Sequence, residues 1–199
     1  MIFDLKILSP SERYRLLASL VTPRPIAWIT THDEEGNLNA APYSFFNVFG
    51  SNPPIVAFAP GNKDAKTPKD TVVNIRQNGE FVVHMVDEAL GETMVATAAT
   101  KPYGENELSG LPVTTVPSSK IKVPRISEAP VALECTHHST LEIGKNRLVI
   151  GEVHLIHTRE GICDPEGYLK EGSYHPLGRM GSPDWYSRTS DQFEMERPD

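Results

Sequence analysis

Apolar residues in this chain come in short bursts rather than long helical stripes, and the bursts are rich in β-branched and aromatic side chains. Ile26–Thr31 is one of them. The polar run Asp33-Glu34-Glu35-Gly36-Asn37 leads from it into a second, Leu38–Tyr43, so the two are expected to pair as a hairpin. Ser44–Gly50 is aromatic but ends in turn residues, and Ser51-Asn52-Pro53-Pro54 then breaks the chain. Ile55–Ala59 has the unbroken apolar character of a buried strand, and Glu80–Val86 reads as another strand. Val131–Ile143 and Arg147–His157, separated by Gly144-Lys145-Asn146, should form a second hairpin.

Helix signals are fewer and shorter. Ser9-Pro10-Ser11-Glu12 has the form of a capping box with proline at the first helical position, which predicts a helix through Arg13 to Leu20, stopped by Thr22-Pro23-Arg24-Pro25. Thr67-Pro68-Lys69-Asp70 repeats that form with Thr67 as N-cap and predicts a helix over Thr71–Gln77, ended by Asn78-Gly79. Asp87 is placed to cap a helix over Glu88–Ala99. Lys101–Gly110 is polar connection, Pro117–Pro130 is interrupted by three prolines, and Asp164–Asp184 reads as a long functional loop or ordered arm. Many strands, hairpins and short helices point to a mainly β fold, a closed or nearly closed antiparallel barrel with helices outside it. Without internal repeats or a low-complexity linker, residues 1–199 are expected to form a single domain.

Charge and cysteine content narrow the partners. A formal net charge of -7 with no long Lys/Arg run argues against nucleic-acid and anionic-membrane surfaces, which need a basic face. No apolar stretch has the length of a membrane span, and the start of the chain lacks a signal-peptide pattern, so a cytoplasmic protein is expected. Cys135 and Cys163 are far apart and form no CxxC pair, which leaves them as reduced thiols. His154 and His157 should point to opposite faces of one strand, so no metal site is expected. Glu134, Glu142 and Glu152 read as the solvated face of their strands.

Candidate chemistry is thinly spread. There is no GxGxxG, GxxxxGK[ST] or GxSxG motif, so any nucleotide must be held some other way, and no catalytic acid, base or nucleophile is assigned. A phosphate monoester wants cations, hydroxyls and free N–H groups, and Lys69, Thr71 and the helix start near Thr67 supply all three. An ordinary N-cap and a solvated lysine account for the same residues. A flat heterocycle wants an apolar slot with donors at its polar edge, which Ser44, Phe45, Asn47 and Arg24 could line; core packing and a surface ion pair are the plain alternatives.

The combination of motifs is more specific. Thr22–Thr31, then Asn39–Asn47, then Lys69–Ile75, and finally Ser173-Tyr174-His175-Pro176-Leu177-Gly178-Arg179-Met180-Gly181 resemble, in order and spacing, the flavin reductase-like family of FMN-binding split barrels, which includes flavoredoxin-like proteins. The likeness runs from about residue 21 to 188, with an arm or tail after 184. It implies a six-stranded antiparallel Greek-key split β-barrel, a homodimer, and FMN bound non-covalently in a groove between barrel and partner subunit. Arg24, Tyr43, Ser44, Phe45 and Asn47 would meet the flavin, Lys69 and Thr71 the phosphate side, and His175 and Arg179 a segment closing over the ring. The implied activity is that of a flavin reductase or flavoredoxin-like electron carrier, drawing electrons from NADH, NADPH or a small electron-transfer protein. A non-catalytic FMN-binding or storage protein is the alternative.

Overall fold

Short strands in a chain this rich in turn residues must find partners at long range, and the computed structural model, which describes residues 1–64, 66–181 and 183–198, shows how they do so. In chain order the elements are α1 (Pro10–Leu20), β1 (Arg24–Pro25), β2 (Ala27–His32), β3 (Leu38–Tyr43), β4 (Phe46–Ser51), β5 (Pro54–Phe58), α2 (Asp70–Asn78) and β6 (Glu80–Met85). A 3-10 turn (Glu88–Leu90) and α3 (Gly91–Ala96) follow, then β7 (Thr115–Val116), β8 (Arg125–Ile126), β9 (Val131–Ile143), β10 (Asn146–Thr158), β11 (Gly178–Arg179) and β12 (Tyr186–Ser187). Among the described residues no helix is long and apolar enough to cross a membrane.

The main sheet is antiparallel with seven strands in the order β3-β2-β6-β9-β10-β5-β4. Its first and last members are consecutive in the chain, joined only through Ser44 and Phe45. Side chains from both halves of the sheet, among them Ile29, Tyr43, Phe46, Phe58, Phe81 and Cys135, meet in one buried cluster, so the sheet is rolled into a barrel whose seam between β3 and β4 is not hydrogen-bonded. Ile75 of α2 joins that cluster, and Gly151 of β10 leaves the space that the Phe81 ring fills. The outer face of β2 carries Trp28, which is buried with Met94 of α3 and Ile126 of β8 and donates from Nε1 to Thr97 Oγ1 at 2.9 Å.

Several expectations are corrected. The main sheet has seven strands rather than six, because the aromatic stretch after Ser44 pairs with β5 as β4. The second helix starts at Asp70 with Lys69 as N-cap; Thr67 is not the cap, because Thr67 O accepts from Lys63 N at 2.9 Å and Pro68 bridges Asn62. Asp70 turns to Lys63 Nζ at 2.7 Å rather than back to the helix start. The helix expected over Glu88–Ala99 is divided into the 3-10 turn and the short α3, and Asp87 pairs with Arg159 at 3.0 Å instead of capping. Glu134, expected on a solvated face, is 0 % exposed. The first capping box forms as read, with Glu12 N donating to Ser9 Oγ and Ser9 N to Glu12 Oε2.

Candidate functional site

Where the two sheet edges meet, the surface opens into a groove of about 540 Å³. Tyr43, Ser44 and Phe45 form part of its wall because the chain has to pass from one edge strand to the other there. The segment after β5 contributes Ala59–Gly61, the α3 region Met94, Val95 and Ala98, and the tip of the β9–β10 hairpin Asn146 and Arg147. Lys69, Lys145 and Arg179 complete the cationic part of the lining, which also holds the Asp184 carboxylate. The backbone N–H groups of Ser44 and Phe45, outside the strand ladders, have no acceptor among the described residues. Such free donors suit the electron-rich edge of a bound heterocycle.

Lys69 precedes α2 directly, and its side chain has no ion-pair partner among the described residues. The adjacent carboxylate of Asp70 is already neutralised by Lys63, so it does not consume the charge of Lys69. A recess of about 30 Å³ adjoins the groove and shares Lys69, Tyr43 and Ala98 with it. Thr71, buried in the first turn of α2, lines this recess and accepts from Tyr43 Oη at 2.9 Å and Asn39 Nδ2 at 3.0 Å. A helix start, a hydroxyl and three lysines, Lys63, Lys69 and Lys101, thus line one small recess together with the carboxylates of Asp70 and Glu107; Lys63 pairs with Asp70, and Lys69 stands where the recess joins the groove, placed to meet an anion there.

Arg24 lies behind the groove rather than in its wall. Its Nη1 donates to the carbonyls of Ala18 and Val21 at the end of α1, its Nη2 to Met180 O at 3.1 Å, and its Nε to Ser44 Oγ at 3.4 Å. The guanidinium carbon also stands 5.6 Å from the Phe45 ring centroid. Arg24 therefore ties three segments together and fixes the Ser44–Phe45 link from beneath. Arg179 lies in the groove wall, stacked 4.7 Å from the Tyr186 ring centroid, with Nη2 on Pro183 O and 3.7 Å from Asp184 Oδ1, and with a buried Nη1 that has no partner among the described residues.

Of the residues singled out in the sequence, the structure brings Tyr43, Ser44, Phe45, Lys69 and Arg179 to one groove, with Thr71 in the adjoining recess and Arg24 directly behind. Asn47 is exposed on β4, its Oδ1 accepting from Val48 N at 2.8 Å, and it is not in this wall. His175 lines a different groove, about 270 Å³, with Asp87, Glu88, Arg159 and Arg188. Sequence reasoning missed Arg147, Met94 and Tyr186. In the sequence Arg147 reads only as the first residue of a strand, and Tyr186 is brought in by a two-residue pairing of β12 with β11 that leaves no periodic trace.

The model of the flavin reductase like domain matches residues 19–178. The chain belongs to the flavin reductase like family. Within that family it is similar to a nitrilotriacetate monooxygenase component B from Bacillus cereus, 31% identical with a TM-score of 0.92, the match covering 98% of each chain. It is also similar to the 2-nitrobenzoate 2-nitroreductase NbaA from Pseudomonas fluorescens, 36% identical with a TM-score of 0.89, covering 100% of this chain and 96% of that one. A structure with a split barrel domain from Shewanella frigidimarina, at 20% identity and a TM-score of 0.85, matches over 100% of both chains and shows the same fold. The rolled sheet with its open seam is accordingly the split barrel of the flavin reductase like family.

Proposed function

We propose that the groove holds FMN non-covalently, with its phosphate towards Lys69 and the Thr71 recess and its ring against Ser44, Phe45 and Arg179, and that the protein is an FMN-dependent oxidoreductase. The observation that carries this reading is the continuity of the lining: Lys69 and Tyr43 belong both to the anion recess and to the wider groove. The groove volume lies in the range of small-molecule and cofactor sites. The free N–H groups of Ser44 and Phe45 and the partnerless Arg179 Nη1 are donors without acceptors, as a flavin's pyrimidine edge requires.

Bound flavin supplies acceptance of a hydride or of single electrons, so the chain's own residues need only bind, orient and exclude water. Arg24 holds the Ser44–Phe45 link in place, Lys69 supplies fixed positive charge, and the Arg179–Tyr186 pair forms a stacked wall. Flavin reductase or flavoredoxin-like electron transfer, with NADH, NADPH or a small protein as donor, is the activity this arrangement suits. A homodimer is part of the same reading: Val48 and Phe49 on β4, and Leu17 and Leu20 on α1, are exposed apolar side chains on the two elements that flank Phe45. A partner subunit seated on these side chains would cover them.

Anaerobic mixing of the purified protein with FMN and then NADH or NADPH tests the activity. Bleaching of the flavin absorbance at catalytic rates is the expected result. A tightly held yellow complex that neither nucleotide bleaches, and that no small electron-transfer protein reduces, would contradict the oxidoreductase reading.

A further inference from the structure

The Thr71 hydroxyl has one proton to give and two lone pairs to offer. Both lone pairs are occupied: Tyr43 Oη donates to Thr71 Oγ1 at 2.9 Å and Asn39 Nδ2 donates to it at 3.0 Å. The Tyr43 phenol keeps its proton, because burial pushes its pKa far above the ordinary value. Asn39 is held in the donating orientation by its second amide proton, which goes to Thr31 Oγ1 at 3.2 Å. Thr31 is itself gripped from α2 by Asn74 Nδ2 at 3.0 Å. All five side chains are buried, so water does not scramble these roles. The protons of Thr71 and of Thr31, whose lone pairs are filled in the same way by Asn39 and Asn74, are then the hydroxyl donors left over, with no acceptor among the described residues. Thr71 lines the recess that contains Lys69, and Thr31 does not.

We propose that Asn39 and Tyr43 are positioning residues that make Thr71 an obligatory donor into the Lys69 recess, and that this network sets the preference for a phosphorylated flavin over riboflavin. The inference rests on the FMN reading above and adds the residues that decide it. A hydroxyl free to rotate serves donors and acceptors alike; one whose lone pairs are filled can only donate, and a phosphate oxygen, which only accepts, is the matching ligand atom. Riboflavin has a hydroxyl at that position and gains less from a fixed donor beside a lysine.

Equilibrium dissociation constants for FMN and riboflavin, measured with the full chain by quenching of flavin fluorescence, test this. The readout is the ratio of the two constants, which a general loosening of the fold would leave alone because both ligands would weaken together. Thr71→Val should lower the FMN preference about tenfold or more, Tyr43→Phe and Asn39→Ser several-fold, and Thr71→Ser should retain it. Lys69→Ala separates this inference from the reading beneath it. If Lys69→Ala lowers the preference while Tyr43→Phe and Thr71→Val do not, the network proposal is overturned and the phosphate site stands. If Lys69→Ala also leaves the ratio unchanged, the phosphate assignment itself fails. Tyr43→Phe and Thr71→Ser are near-isosteric, so the comparison survives even where Asn39→Ser does not fold.

Discussion

Two regions of this barrel hold their polar groups in opposite ways. On the outer face of β6 and β9, Glu134 accepts from Ser119 N at 2.7 Å, Lys120 N at 2.6 Å and His157 Nε2 at 2.5 Å. Beside it His84 places Nδ1 against Trp28 O at 2.9 Å and accepts from Ile126 N on Nε2 at 2.9 Å. Each of these groups is completed within the chain, and together with Thr30, which donates to Pro124 O, they pin the segment 118–126 to the barrel. At the groove the balance is reversed: Lys69, the N–H groups of Ser44 and Phe45, and Arg179 Nη1 are left without partners among the described residues. An unmade hydrogen bond in a sheltered place costs about 1–3 kcal/mol, so of these seam groups the buried Arg179 Nη1 gains most from a ligand, whereas Lys69 and the Ser44–Phe45 link, with Phe45 41% exposed, are groups a ligand can reach.

If that division holds, substitutions should sort into those that cost stability and those that cost affinity. Glu134→Ala strands two backbone N–H groups and His157 and should lower unfolding free energy by about 3–5 kcal/mol in urea titration, with FMN affinity little changed. Loss of FMN affinity without loss of stability would invert the comparison.

His84 gives the next largest effect. Burial pushes its pKa down to about 4 from an ordinary value of 6.5, so the unfolded chain takes up a proton that the folded one refuses. The stabilisation is complete above pH 6.5 and is lost as pH falls towards 4, by about 3 kcal/mol in all. Proton NMR should show the His84 ring neutral through that window while the urea midpoint drops; a ring that titrates near 6.5 would contradict the buried, doubly bonded assignment.

Lys69→Ala should weaken FMN binding by about 1.5–3 kcal/mol and leave the urea midpoint in place, the mirror image of Glu134→Ala. The smallest effect is expected at Asn47. Its alanine variant should stay within about 0.5 kcal/mol of the parent in stability while shifting the flavin absorption bands, if the β4 edge reaches the flavin through the partner subunit. An unshifted spectrum removes Asn47 from the site.

Much of the barrel was legible because its signals are local. Ser9 and Glu12 are three residues apart, Gly79 stops α2 at φ 70°, and β9 and β10 are separated only by Gly144 and Lys145, so capping, turn and alternation rules reached them. Misread features depend on contacts outside the motif that was read, most of them with distant partners. Thr67 was drawn away from the helix by Lys63, Glu134 was buried by a loop that folds back over it, and Arg24 spent its donors on carbonyls of α1 and Met180. The site was legible in part for the same reason: Tyr43–Phe45 and Lys69 are fixed by the ends of regular elements. His175 and Arg179, four residues apart in one segment, line different grooves because the short β11 pairing with β1 aims only Arg179 at the seam.

A crystal structure of the protein soaked with FMN is the most direct check on the ligand assignment. One flavin per chain should appear at the open seam, with a phosphate oxygen bonded to Lys69 Nζ and to the Thr71 hydroxyl and the pyrimidine edge against the Ser44 and Phe45 amides. Flavin found instead in the groove of Asp87 and His175, or bound at the seam with its phosphate pointing away from Lys69 into solvent, would contradict the account.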